Sequence, residues 1–91
     1  MQEKRFMVGS VEVYFWMTEN ICDCINNVEL SKDGRIINIK EITGKHLGTQ
    51  PDELYTLAAE QEGLLAVSTF RGIRFLIDAE NLTVVKKEIC K

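Results

Sequence analysis

Leu64-Leu65-Ala66-Val67-Ser68-Thr69, then Arg71-Gly72, then Ile73 to Asp78, then Ala79-Glu80-Asn81, then Leu82 on to Ile89: this tail reads as three short strands joined by two turns. β-branched and aromatic residues fill the strands, and Gly or Asn stands where a turn needs positive φ. Strands of this kind need a sheet to join, so the tail decides the fold class.

Working outward, 91 residues make a single domain, 1–91, with no room for a second core. A hydrophobic content of 45% and a charged content of 27% are those of an ordinary globular chain. The apolar runs Val13 to Met17 and Ile73 to Ile77 are far shorter than a membrane span, and the first residues carry no apolar signal-peptide core. A cytoplasmic protein is expected, with no membrane partner. The three cysteines agree: an odd number, with Cys22 and Cys24 one residue apart, makes a poor disulfide framework. Eleven basic against 14 acidic side chains give a net charge of −3, which disfavours a nucleic-acid partner held by a basic face.

Arg5 to Tyr14 reads as a first hairpin about Gly9-Ser10, where Gly at the first central position suits a type II′ turn. Its second strand continues to Thr18, with Val11, Val13, Phe15 and Met17 on one face and Glu12, Tyr14 and Trp16 on the other. Glu19 to Asn27 is a polar connection. A second hairpin runs Val28-Glu29-Leu30, then Asp33-Gly34 in a type I turn closing with a left-handed residue, then Arg35 to Ile42 with room for a bulge near Lys40-Glu41. Thr49-Gln50-Pro51-Asp52 announces a helix through Glu62, closed by Gly63, with Leu54, Leu57, Ala58 and Gln61 on its buried face. The order hairpin, hairpin, helix, meander has no βαβ alternation. An α+β fold is expected: a mainly antiparallel sheet or open barrel of about six to seven strands, with one helix packed on it. The run VSTFRGIRFLIDAENLTVV resembles the rhythm of a β-propeller blade, but one blade cannot close a ring and no family follows from it.

Several residues suggest chemistry. Cys22, Cys24 and His46, with Cys90, could supply zinc ligands, but the one-residue spacer and the lack of a second pair are wrong for a zinc knuckle. The same residues as a nucleophile and base match no known motif, and the carboxylates sit where turns and helix ends explain them. No cofactor and no catalysis are expected. Arg71 and Arg74 beside a tight turn, with Ser68 and Thr69 across the hairpin, could hold an anion or nucleotide bidentately, although arginines also protect strand edges. Lys86-Lys87 reads as a solvated edge, and Asn81-Leu82-Thr83 as a turn rather than a glycosylation site.

Tyr14 and Trp16 weigh most. A strand apolar on both sides either lies between two layers or faces a partner, and Tyr and Trp carry contact energy well. The leading expectation is a small intracellular binding or regulatory protein acting through protein–protein contact, with self-association as a homodimer, anchored by Tyr14 and Trp16. The alternatives are a small-ligand or anion binder and a structural zinc site. The size and composition would fit a phage-encoded or mobile-element accessory protein.

Overall fold

The computed structural model describes residues 2–89. Eight strands form two four-stranded antiparallel sheets, each pairing its strands in chain order. The first holds β1 (Gln2–Val8), β2 (Val11–Met17), β3 (Val28–Lys32) and β4 (Arg35–Asn38). The second holds β5 (Tyr55–Gln61), β6 (Leu64–Thr69), β7 (Ile73–Asp78) and β8 (Thr83–Ile89). The connection between them carries one short helix, α1 (Lys40–Thr43), followed by a 3₁₀ turn at Gly44–His46.

Turn chemistry fixes the registers. Gly9 has φ 61° while Ser10 stays negative, the pattern of a type II′ hairpin, and Val8 faces Val11 across it. At β3–β4 both central residues are left-handed, Asp33 at φ 50° and Gly34 at φ 78°, so this turn is type I′ and not the expected type I. A type I′ turn twists with the flanking strands, which lets Lys32 pair directly with Arg35.

With those registers set, alternation sends Val8, Val11, Val13, Val28, Leu30 and Ile37 inward from the first sheet. Leu65, Val67, Phe75 and Ile77 meet them from the second, and Ile39 and Ile42 of the connection close one end of the same cluster. The core is therefore shared, with neither sheet owning one of its own. At one side Lys4 Nζ donates to the Ala58 carbonyl at 3.0 Å, tying β1 to β5. At the other, Lys87 Nζ donates to the His46 carbonyl at 2.7 Å, tying β8 to the connection.

Two expectations are corrected. The segment from Thr49 to Glu62 is not a helix: Pro51 to Glu53 have no regular structure and Tyr55–Gln61 is strand β5, so the sheet-plus-helix architecture becomes two sheets of eight strands in all. The register shifts between Tyr55 and Leu57, a β-bulge, so the inward residues Tyr55 and Ala58 stand three apart. Three is a helical spacing, and the bulge counterfeits it. A helix there would also have left the β6 edge unpaired. Gly63 is the second residue of another left-handed pair, with Glu62 at φ 52°, and not a helix cap.

The helix lies instead where a strand was expected, at Lys40–Thr43. Asn38 Oδ1 accepts from the Lys40 N–H at 2.9 Å, and Glu41 Oε2 accepts from the Asn38 N–H at 3.1 Å. This reciprocal capping turns the chain out of the sheet just after β4 and buries Ile39 and Ile42, three residues apart, together.

Candidate functional site: the outer face of the first sheet

Tyr14 and Trp16 stand on the solvent side of β2, because Val13 and Phe15, which alternate with them, turn inward. Both are half-buried, and their rings stack with centroids 5.3 Å apart at an interplanar angle of 27°. On the β1 side the Arg5 guanidinium lies over the Tyr14 ring, 4.1 Å from its centroid. The Tyr14 hydroxyl donates to Glu3 Oε2 at 2.6 Å. That hydrogen bond, more than any other influence, raises the Tyr14 pKa above its ordinary value, so the phenol stays protonated well past neutrality.

The 3₁₀ turn Ile21–Cys24 completes the far end of this face. Asn20 Oδ1 accepts from the Cys22 N–H at 3.0 Å and starts the turn. The Asp23 carbonyl is thereby presented to the indole, and Trp16 Nε1 donates to it at 2.8 Å, which fixes the ring. Trp16 faces Asn27 on the β3 side, joined by a backbone bond at 3.3 Å, and the Asn27 side chain points into the core. Asn27 therefore puts no side chain beside the indole. What remains is a shallow cleft of about 360 Å³ lined by Tyr14, Trp16, Thr18, Asp23 and Glu29, none of them basic. A second cleft, about 590 Å³, lies at the start of β1 beside Gln2, Glu3, Lys4 and Phe15.

The other sequence-derived candidates fall elsewhere. Arg71 Nε donates to Glu53 Oε2 at 2.6 Å, and a second guanidinium nitrogen pairs with the same carboxylate. Glu53 is buried, so Arg71 serves to neutralise it, and this contact raises the Arg71 pKa further. Arg74 lies on the outer face of the second sheet between Glu88, at 3.6 Å, and Gln61. Ser68 faces Arg74 across β6–β7, whereas Thr69 is buried and its Oγ1 accepts from the Ile73 N–H at 3.1 Å. Arg74 and Ser68 are brought together; Arg71 and Thr69 each have separate partners.

Cys22 is exposed and Cys24 is buried, its Sγ accepting from the Thr18 N–H at 3.1 Å. His46 stands beside Phe75, with ring centroids 6.2 Å apart. Among the described residues no three of His, Cys, Asp and Glu gather as metal ligands, and Cys90 lies outside those residues. No helix in the described residues is long and apolar enough to cross a membrane.

Two features escaped the sequence reading. Leu54 is held between Ile25, by an antiparallel bridge, and Phe70, whose N–H donates to its carbonyl at 2.8 Å; Ile25 and Phe70 are both exposed. Asn26 and Asn27 join the two sheets through the backbones of Glu53 and Tyr55. Only the strand identity of β5 makes either visible. Compared with protein families, curated proteins and solved structures, the chain finds no match.

Proposed function

We propose that the protein is a small binding module that acts by contact with another polypeptide through the outer face of the first sheet, without catalysis of its own. The single observation that carries this reading is the stacked pair Tyr14 and Trp16, half exposed on the side of β2 that the core does not use. Aromatic rings already held by neighbours contribute contact area at little further cost in side-chain entropy. Met7 and Ile36, both exposed, extend the same face on β1 and β4, opposite Glu12 and Ser31 in the register.

The test places a photo-crosslinking residue at position 7 or 36, so that both anchors stay intact, and a control at Lys86 on the second sheet. The experiment is run in extract from cells that express the protein. Discrete adducts are expected from positions 7 and 36, abolished by Tyr14→Ala with Trp16→Ala, and absent from the control. A product of twice the chain mass would identify a homodimer. Equal labelling from all positions, or adducts indifferent to loss of the two rings, would remove the reading.

A further inference from the structure

The charges around the aromatic pair are lopsided. On the β1 side the ring system already carries a cation, because Arg5 lies over Tyr14 and pairs with Glu12 at 3.5 Å. On the β3 side the cleft has the same aromatic wall together with Glu29, directly opposite Tyr14, and Asp23, and none of its lining residues is basic. An aromatic face beside carboxylates is the environment that favours an ammonium or guanidinium group, through the ring quadrupole and through Coulomb attraction together. The indole is held by its bond to the Asp23 carbonyl, so a visiting cation meets a wall already in place.

We infer that this cleft seats a basic side chain, Arg or Lys, projecting from the partner polypeptide, with Tyr14 and Trp16 as its wall and Glu29 and Asp23 as its counter-charge. This rests on the contact reading above and adds the chemistry of the residue that enters. The net charge of −3 points the same way, since it favours approach by a basic segment. Arg5 over Tyr14 is the same contact made within the chain.

Trp16 is the chain's one tryptophan, so its emission reports on the cleft directly. The purified full chain is titrated with the acetylated, amidated peptide Gly-Arg-Gly-Arg-Gly, its lysine counterpart and its glutamate counterpart. A saturable emission change is expected with the basic peptides and not with the acidic one. Affinity should fall at least tenfold in Asp23→Asn with Glu29→Gln, and stay unchanged in Glu60→Gln with Glu62→Gln, which removes the same two charges from the β5–β6 hairpin. If the double variant fails to fold, a salt series on the native chain replaces it: binding must weaken between about 50 and 500 mM salt, over which screening shortens from beyond 10 Å to a few Å.

Absence of a saturable response to the basic peptides, an equal response to the acidic one, or affinity indifferent to both carboxylates and salt overturns the inference. If positions 7 and 36 still crosslink while the basic peptides fail, the contact face stands and the cation falls. If both experiments fail, both readings fall.

Discussion

Asn27 acts as a fragment of strand. Its side-chain amide has the donor and acceptor of a peptide group, and it spends them on the Tyr55 backbone: Nδ2 donates to the carbonyl at 2.8 Å and Oδ1 accepts from the N–H at 2.8 Å. Nδ2 also donates to the Trp16 carbonyl at 2.9 Å, so one fully buried side chain stitches β2 to β5. Asn27→Ala leaves these buried groups unpaired, each worth about 1–3 kcal/mol, and should lower the unfolding free energy by about 2–4 kcal/mol in urea. A loss below about 1 kcal/mol would show that water takes over the role. Tyr55 itself, also fully buried, donates to Thr43 Oγ1 at 2.5 Å, and Thr43 passes a bond to the Ile39 carbonyl at 3.1 Å. Burial pushes the Tyr55 phenol up to about 12. The folded pKa is raised, so its stabilising effect is whole below pH 10 and drains between pH 10 and 12, as the unfolded chain ionises and the folded one does not. The slope is about 1.4 kcal/mol per pH unit at most. Tyr55→Phe should flatten alkaline denaturation across that window, measured by urea midpoints from pH 8 to 12; an unchanged slope would place the titration elsewhere, with Tyr14 the next group to test.

Among the elements, β5 shows how local signals can all agree and still mislead. Thr, Pro and Asp before an Ala-rich, Glu-rich run are helix-start residues, and Gly63 sits where a helix would stop. The strand prevails because β6 needs a partner and because the bulge lets Tyr55 and Ala58 both face the core. The turn that follows carries a residual strain, since Glu62 adopts φ 52° without the side chain that best tolerates it. Glu62→Asn gives the Asn-Gly pair that type I′ turns favour and should raise stability by about 0.5–1 kcal/mol, visible as a higher thermal midpoint; destabilisation would mean the carboxylate has a role of its own. By contrast the first hairpin, the β3–β4 hairpin and the closing meander were legible, because Gly9, Asp33-Gly34 and Gly72 mark turns through backbone sterics alone. The outward placement of Tyr14 and Trp16 was legible too, from period-two alternation. The fate of Arg71 was not: its partner Glu53 lies 18 residues away, in a run whose local signals favour a helix that does not form. The cleft was equally hidden, since it depends on Asn27 turning inward and on the 3₁₀ turn at Ile21–Cys24.

Across the whole molecule, two meanders confront one another over a single core, and the ties between them are few and specific. Besides Asn27, the Ser10 N–H and hydroxyl donate to Glu80 Oε1 at 2.8 and 2.7 Å, joining the turn after β1 to the turn after β7. Those bonds hold the Glu80 carboxyl below its usual range, so its contribution is present at neutral pH and is lost as pH falls through that lowered value. Neither meander can shelter its apolar face alone. Fragments 1–48 and 49–91 should each lack a dispersed NMR spectrum when separate and regain the native one when mixed; a folded spectrum from either half by itself would contradict a common core. The same arrangement bears on how the chain is made. Each strand hydrogen-bonds to its sequence neighbours within its own sheet, so the first four can zip together as they leave the ribosome. Until the remaining four emerge, that early ribbon has nothing to lay over Val11, Val13 and Leu30, so a pause in synthesis at that length would leave a sticky apolar strip uncovered.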